Sequence, residues 1–258
     1  MELEPLKPSL LEPEISVIIP VLHEGDRIGA CLAHLAQIAE QIPYEVIVSD
    51  GDPQDSTLSR LPDGTQNLVP VRSPMGRGAQ LNAGARVARG KVLLFLHVDA
   101  CLPPRALHQI QETCLEAVGG AFDLAIASPR LSLKGIAKVA SWRSRLTRIP
   151  YGDQAIFLRR EIFEQVNGYP DLPIMEDVAL MQRLKRGQYR LKILPEAVTV
   201  SARRWEKEGI LRCTLRNWSL ITMYFWGVHP NVLVRWYRPQ SALSTSHEKS
   251  SQGRDSAL

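Results

Sequence analysis

Apolar residues in this chain follow two rhythms. Unbroken runs at residues 15–20 (ISVIIP), 45–49 (EVIVS) and 92–96 (VLLFL) show no alternation, which predicts strands buried on both faces, as in a parallel sheet. Between the first two runs, Ile28, Cys31, Leu32, Leu35 and Ile38 recur at a helical period, predicting a helix over 27–41. Further helices are expected over 77–89, 104–118, 131–146, 160–166 and 178–186. Further strands are expected at 68–71, 121–127 and 155–158, with short extended segments at 191–194 and 197–200. Gly119-Gly120 reads as a break before a strand, Tyr151-Gly152-Asp153-Gln154 as a polar turn, and Asn167-Gly168 as a helix end. The alternation of strand and helix defines an α/β domain with a mostly parallel sheet flanked by helices.

In such sheets ligands bind beyond the carboxyl ends of the strands. The residues that fall there are therefore the first candidates for chemistry. Glu24 follows the first strand, Asp50 ends the second, and His97 and Asp99 follow the central run. The competing structural role for Asp99 is to cap the helix that Pro104 begins. Gly76, Gly78 and Gly84, with Arg77 among them, open the helix over 77–89. Glycine permits close backbone approach and helix amino termini attract phosphate, although the spacing matches neither GxGxxG nor a P-loop. Close helix packing explains the same glycines. The loop 170–177 ends in two adjacent carboxylates, Glu176 and Asp177, at the start of a helix. Helix capping needs only one of them. Arg203-Arg204-Trp205 sets two phosphate-binding forks beside an indole, and a solvated helix start is the alternative.

Composition narrows the classes. Of 258 residues 45 % are hydrophobic, enough for a substantial core, and the net charge is only +4. Its distribution is uneven: twelve Lys or Arg against three Glu between residues 183 and 238, and six basic residues with no acid over 130–148. The carboxyl-terminal half is thus suited to something anionic, a phosphate or a lipid headgroup, while no nucleic-acid recognition motif accompanies the charge. Cys31, Cys101, Cys114 and Cys213 lack zinc or disulfide spacing, which suggests a reduced, cytoplasmic setting. The acidic, proline-rich residues 1–13 read as a flexible leader without a secretory h-region, and the Ser-rich residues 239–258 as a disordered tail. Residues 209–237 are rich in Trp, Leu and Arg. Their apolar part is too short to span a bilayer, and it fits either a part of the core or, in preference, a surface meeting the membrane or a second copy in a homodimer.

With these residues in order, the chain resembles the family 2 glycosyltransferases. That implies a GT-A, Rossmann-like fold over residues 14–205, followed by a helical C-terminal extension over 206–238. The resemblance rests on the strand ending at His23-Glu24, the turn Asp50-Gly51-Asp52-Pro53-Gln54-Asp55-Ser56-Thr57, and the Arg77–Gly84 loop. His97-Val98-Asp99 stands where an Asp-x-Asp motif belongs, Glu176-Asp177 where the Glu-Asp motif does, and Arg203-Arg204-Trp205 where the Arg-Trp motif does. The combination of LHxDxxLP, GGAF, YGDQ and LPIMEDV is similar to a bacterial subgroup named for arsenosugar biosynthesis or carotenoid glycosylation. The resemblance implies an inverting, metal-assisted transfer from a nucleoside-diphosphate sugar, UDP- in preference to GDP-, to a hydroxyl of a small-molecule or lipid-linked acceptor. Asp177, with Glu176, would be catalytic. Asp99 would hold Mn²⁺ or Mg²⁺, and His97 in place of an aspartate favours Mn²⁺. Glu24, Asp50, Arg77, Asn82, His97, Arg203, Arg204 and Trp205 would bind the nucleotide sugar. The location implied is cytoplasmic, at the inner face of the cell membrane. A nucleotidyltransferase and a non-catalytic nucleotide-sugar-binding protein are the other classes, and nucleotide-sugar hydrolysis separates them.

Overall fold

The computed structural model describes residues 12–39, 42–62 and 67–237 of the 258. The leader, apart from its last two residues, and the tail lie outside this range, as does the expected end of the first helix at Gln41. In chain order the elements are β1 (Ile15–Val21), α1 (Gly25–Ile38), β2 (Tyr44–Asp50), β3 (Leu68–Arg72), α2 (Arg77–Val87), β4 (Val92–Phe95), β5 (Ala100–Cys101), α3 (Ala106–Glu116) and β6 (Gly119–Ala127). They continue with α4 (Leu131–Thr147), β7 (Phe157–Arg159), α5 (Arg160–Gln165), α6 (Glu176–Arg186), β8 (Leu191–Ser201), α7 (Arg203–Glu208), α8 (Ile210–Phe225) and α9 (Pro230–Leu233).

Among the described residues eight strands form one sheet in the order β3-β2-β1-β4-β7-β6-β8-β5. β1 pairs in parallel with β2 and β4, β2 with β3, and β6 with β8; β7 and β5 run antiparallel to their neighbours. The unbroken apolar runs have a direct cause in this layering. Ile15, Val17, Ile19 and Val21 of β1 enter the core under α1, α3 and α4, whereas Ile18 enters the core under α2, α5 and α6. β4 divides likewise, Leu94 one way and Leu93 and Phe95 the other. Each fully buried Leu or Ile contributes about 1.5–3 kcal/mol, so a polar residue at any of these positions would be costly on either face.

Two expectations are corrected. Gly119-Gly120 does not break the chain but begins β6. A Cβ at Gly119 would lie 2.2 Å from the Phe157 carbonyl oxygen, and one at Gly120 2.0 Å from that of Lys192. The glycines are there because neighbouring strands pass too close for a side chain. The two extended segments near 191–200 are one strand, β8, with a register shift opposite Phe122 and Asp123 that absorbs the irregularity. Beyond these, the chain rejoins the sheet directly after Asp99. Ala100 and Cys101 pair antiparallel with Val200 and Thr199, which ties the Asp99 loop to the end of β8.

α2 lies tight on the sheet, since a Cβ at Gly84 would fall 2.5 Å from Ile18 Cγ2. For this glycine, packing is the explanation. The C-terminal extension is helical as expected. α8 buries Cys213 and Leu220, and Leu220 joins Leu233 and Ile174 in a small core beside the loop that precedes α6. All four cysteines are free.

Candidate active site

The carboxyl ends of β1, β4 and β8 meet at a cleft of about 330 Å³. Glu24, Arg77, His97, Asp99, Arg203, Arg204 and Trp205 all line it, although they come from positions up to 181 residues apart in the chain. Each arrives for a local reason. β1 stops at Val21, and the following turn, with His23 at φ 56°, swings Glu24 to the rim. There the Glu24 carboxylate is paired with Arg27 and lies 3.7 Å from Arg203 Nη2. β4 ends at Phe95, so His97 and Asp99 fall in the short link to β5. Asp99 does not cap a helix, because α3 begins beyond Pro103 and Pro104 with Arg105 at its N-cap. Among the described residues the half-buried Asp99 carboxylate has no hydrogen bond or ion pair. β8 delivers Arg203 to Trp205 at the opposite wall, where Arg204 donates to the Tyr237 hydroxyl at 2.5 Å with its guanidinium 5.0 Å from the ring centre.

Behind Arg77 and His97 lies a second polar group. Glu176 is buried and paired with Arg77, and Asp177 Oδ2 accepts from the Gly152 N–H at 2.7 Å, with Arg77 Nη2 at 3.4 Å. Asp177 Oδ1 accepts from the Val178 N–H at 2.8 Å. These residues surround Gly152: a Cβ there would sit 3.2 Å from Asp177 Oδ2, 3.4 Å from His97 Nε2 and 3.7 Å from Arg77 Nη1. The backbone is left-handed at two non-glycine positions next to this group, Ala155 (φ 48°) and Met175 (φ 65°). Such conformations persist only where the surroundings enforce them. Gln154 supplies part of that enforcement, bonding Ser144 Oγ at 2.6 Å and the Phe122 carbonyl at 2.9 Å.

The electrostatics follow from burial. Burial, with Arg77 adding to it, pushes the His97 imidazole down to about 4, so the ring is neutral at neutral pH. Burial, then the neighbouring Asp177, raises the Asp153 carboxyl to about 6. Burial also raises the Glu176 carboxyl, against the opposing pull of Arg77. Burial alone would lower the Arg77 guanidinium, but Glu176 and Asp177 outweigh it and raise it.

Four sequence candidates do not line the cleft: Glu176 and Asp177 belong to the group behind it, and Asp50 and Asn82 are engaged elsewhere. Asp50 is fully buried, and its carboxylate accepts from the N–H groups of Asp52 at 2.9 Å and Thr57 at 3.2 Å. It shapes its own turn and does not line the cleft. Asn82 clamps Tyr169, donating to its carbonyl at 2.8 Å and accepting from its N–H at 2.9 Å. It joins α2 to the loop before α6. Three residues escaped the sequence reading. Gln80 lines the cleft and ties β1 to β2, donating to the carbonyls of Val21 at 2.5 Å and Ser49 at 3.1 Å. Tyr237 closes the far wall. Asp153 lies in the turn beside Asp177, and the YGDQ tetrapeptide was its only signal.

A metal fits this donor set in one form. Among the described residues no three His, Cys, Asp or Glu side chains cluster to hold an ion. A lone, unpartnered carboxylate at Asp99 beside the neutral imidazole of His97 instead suits a divalent cation that takes its remaining ligands from a bound phosphate group.

The comparisons agree with this architecture. The model of the glycosyl transferase family 2 matches residues 16–165. The chain belongs to that family. Dolichol-phosphate mannosyltransferase of Pyrococcus furiosus is 26 % identical over 196 residues, covering 68 % of this chain and 53 % of that protein. Glycosyltransferase AglE of Haloferax volcanii is 34 % identical over 120 residues, covering 42 % of this chain and 39 % of that one. The chain thus spans about half or less of the length of these curated relatives. Among solved structures, the mannosyltransferase PcManGT from Pyrobaculum calidifontis, in complex with GDP-Man and Mn²⁺, superposes with a TM-score of 0.57 at 24 % identity, over 75 % of this chain and 57 % of that one. S. aureus TarS 1–349 in complex with UDP-GlcNAc gives 0.56 at 18 % identity, over 73 % and 58 %. Both share the expected GT-A-like fold.

Proposed function

We propose that this protein is an inverting glycosyltransferase that moves a sugar from a nucleoside-diphosphate sugar to an acceptor hydroxyl. One observation carries the reading: the Asp99 carboxylate, unpartnered among the described residues, shares a cleft with Arg77, Arg203 and Arg204, while a second carboxylate, Asp177, is held just behind it. The diphosphate lies along the arginines, with Glu24 and Trp205 orienting the nucleoside end. The Gly152 and Val178 N–H groups hold the Asp177 carboxylate at the acceptor side. Asp177 takes the proton from the acceptor hydroxyl as that oxygen bonds to the anomeric carbon, and the bond from that carbon to the diphosphate oxygen breaks. Arg77 and Arg204 offset the charge that collects on the departing nucleoside diphosphate. Glu176 positions Arg77. Asp99 and His97 would hold Mn²⁺ or Mg²⁺, which when bound supplies Lewis-acid stabilisation of that same charge.

The UDP-sugar is the first choice of donor. Solved relatives hold GDP-Man in one case and UDP-GlcNAc in another, so both bases are assayed side by side. The acceptor is a small-molecule or lipid-linked hydroxyl, and the motif combination shared with the arsenosugar and carotenoid subgroup belongs to this part of the reading. A cytoplasmic site at the inner face of the cell membrane suits the four free thiols and the basic C-terminal half. The test is donor hydrolysis and calorimetric binding of UDP- and GDP-sugars with Mn²⁺, in wild type and Asp99→Ala. The expected result is slow hydrolysis of one donor and an about 10²-fold loss in the variant. Absence of both binding and hydrolysis in wild type would sink the proposal.

A further inference from the structure

α8 is amphipathic in an unusual sense: it has an apolar face on each side. Cys213 and Leu220 are buried against the body of the protein, while Leu211, Leu215, Trp218 and Phe225 face solvent. At 100° per residue these four occupy a sector of about 80°. Trp226 follows directly, and Trp236 lies just after α9; Trp218, Trp226 and Trp236 are 58 %, 82 % and 66 % exposed. No described element covers this face. Residues 209–237 contain no Asp or Glu, whereas Arg212 and Arg235 are exposed among the indoles. The remaining arginine, Arg216, is paired with Glu208.

We propose that this face of α8 and α9 docks onto an anionic phospholipid bilayer. Indoles with an apolar body and an N–H suit the headgroup boundary, and the exposed arginines complement lipid phosphate. No helix among the described residues is long and apolar enough to cross a membrane, so the contact lies in the plane of the surface. A second copy is a poorer occupant. Two-fold pairing of this face would bring Arg212 and Arg235 of both copies together with no acid to neutralise them. The docked face ends at Tyr237, which lines the cleft. The proposal gives the membrane location suggested above its docking surface, does not depend on the transfer chemistry, and is tested without it.

The experiment is co-sedimentation of the full chain with vesicles of phosphatidylcholine alone, or with about one third phosphatidylglycerol. The expected result is binding to the anionic vesicles, weakened by salt, with a blue shift of tryptophan emission. The combined Trp218→Ser, Trp226→Ser and Trp236→Ser variant should lose affinity about tenfold or more, and Arg212→Glu with Arg235→Glu should lose the preference for anionic lipid. If the triple variant fails to fold by circular dichroism, Leu211→Gln with Leu215→Gln probes the same face by a smaller change. Wild type that ignores both vesicles, or face variants that bind as wild type does, would overturn the proposal. So would a solution dimer that the same substitutions dissolve, because the face would then be a contact between copies.

Discussion

The two ends of the sheet make an instructive pair. At the amino end, where β1 and β4 begin and β7 finishes, lies a hollow of about 530 Å³, larger than the cleft of about 330 Å³ at the carboxyl end. The amino-end hollow is also rich in charge, but its basic groups each have a partner, and Glu164, whose carboxylate has none among the described residues, is exposed to solvent. Lys91 Nζ lies 2.8 Å from Glu14, Arg159 donates to the Cys114 carbonyl and lies 3.8 Å from Glu161, and Arg160 donates to the Ala88 carbonyl at 3.0 Å. At the carboxyl end Asp99 has no hydrogen bond or ion pair among the described residues, and burial moves the protonation of His97 and Asp153 away from ordinary values. Size therefore does not mark the site. What marks it is polar groups withdrawn from water whose electrostatic needs the protein leaves unmet.

The comparison can be broken most severely at Asp177. Asp177→Asn keeps an oxygen for the Gly152 N–H but cannot take a proton. Donor hydrolysis or transfer should fall by about 10²–10⁴-fold while nucleotide binding stays within a few-fold. Turnover that survives the substitution would remove Asp177 as the base.

A smaller effect concerns Asp153. Its folded carboxyl titrates at about 6, above the ordinary value of about 3.9, so the folded state holds its proton more tightly than the unfolded chain does. The sign follows: this group's contribution to stability falls as pH rises from about 4 to about 6, then levels off. Asp153→Asn has no such dependence. Urea unfolding should therefore show the variant gaining on wild type by about 1–3 kcal/mol between pH ~4 and ~7.5. A stability difference that stays constant with pH would contradict this burial argument.

The smallest effect sharpens the contrast. Lys91→Ala at the amino-end hollow removes an exposed ion pair, worth about 0–1 kcal/mol, and should leave donor turnover within about twofold. A large loss of turnover would show that the two ends are coupled.

The alternation of apolar runs and helical periods carried the α/β architecture by itself. A strand with Ile18 on one core and Val17 and Ile19 on the other must be apolar throughout, and nothing distant is needed to see it. The same holds for Glu24, His97, Asp99 and Arg204, because strand ends are local and a parallel sheet aligns them on one rim. Asp50 and Asn82 were not separable from them in this way. A carboxylate at a strand end looks identical whether it faces the cleft or turns inward to bind Thr57, and an amide on α2 does not reveal that Tyr169 waits for it. The GGAF glycines likewise look like a break until the carbonyls of Phe157 and Lys192 are seen to crowd them.

Sequence alone thus determined which segments are strands and helices, and which carboxylates stand at strand ends, since those depend on neighbours within a few residues. Only the tertiary structure decided that Asp50 is spent on its own loop, that Gly152 and Arg77 hold Asp177, and that Tyr237 returns to the cleft. Each of those outcomes depends on a hydrogen bond or a close contact between groups far apart in the chain, and no local pattern encodes such an encounter.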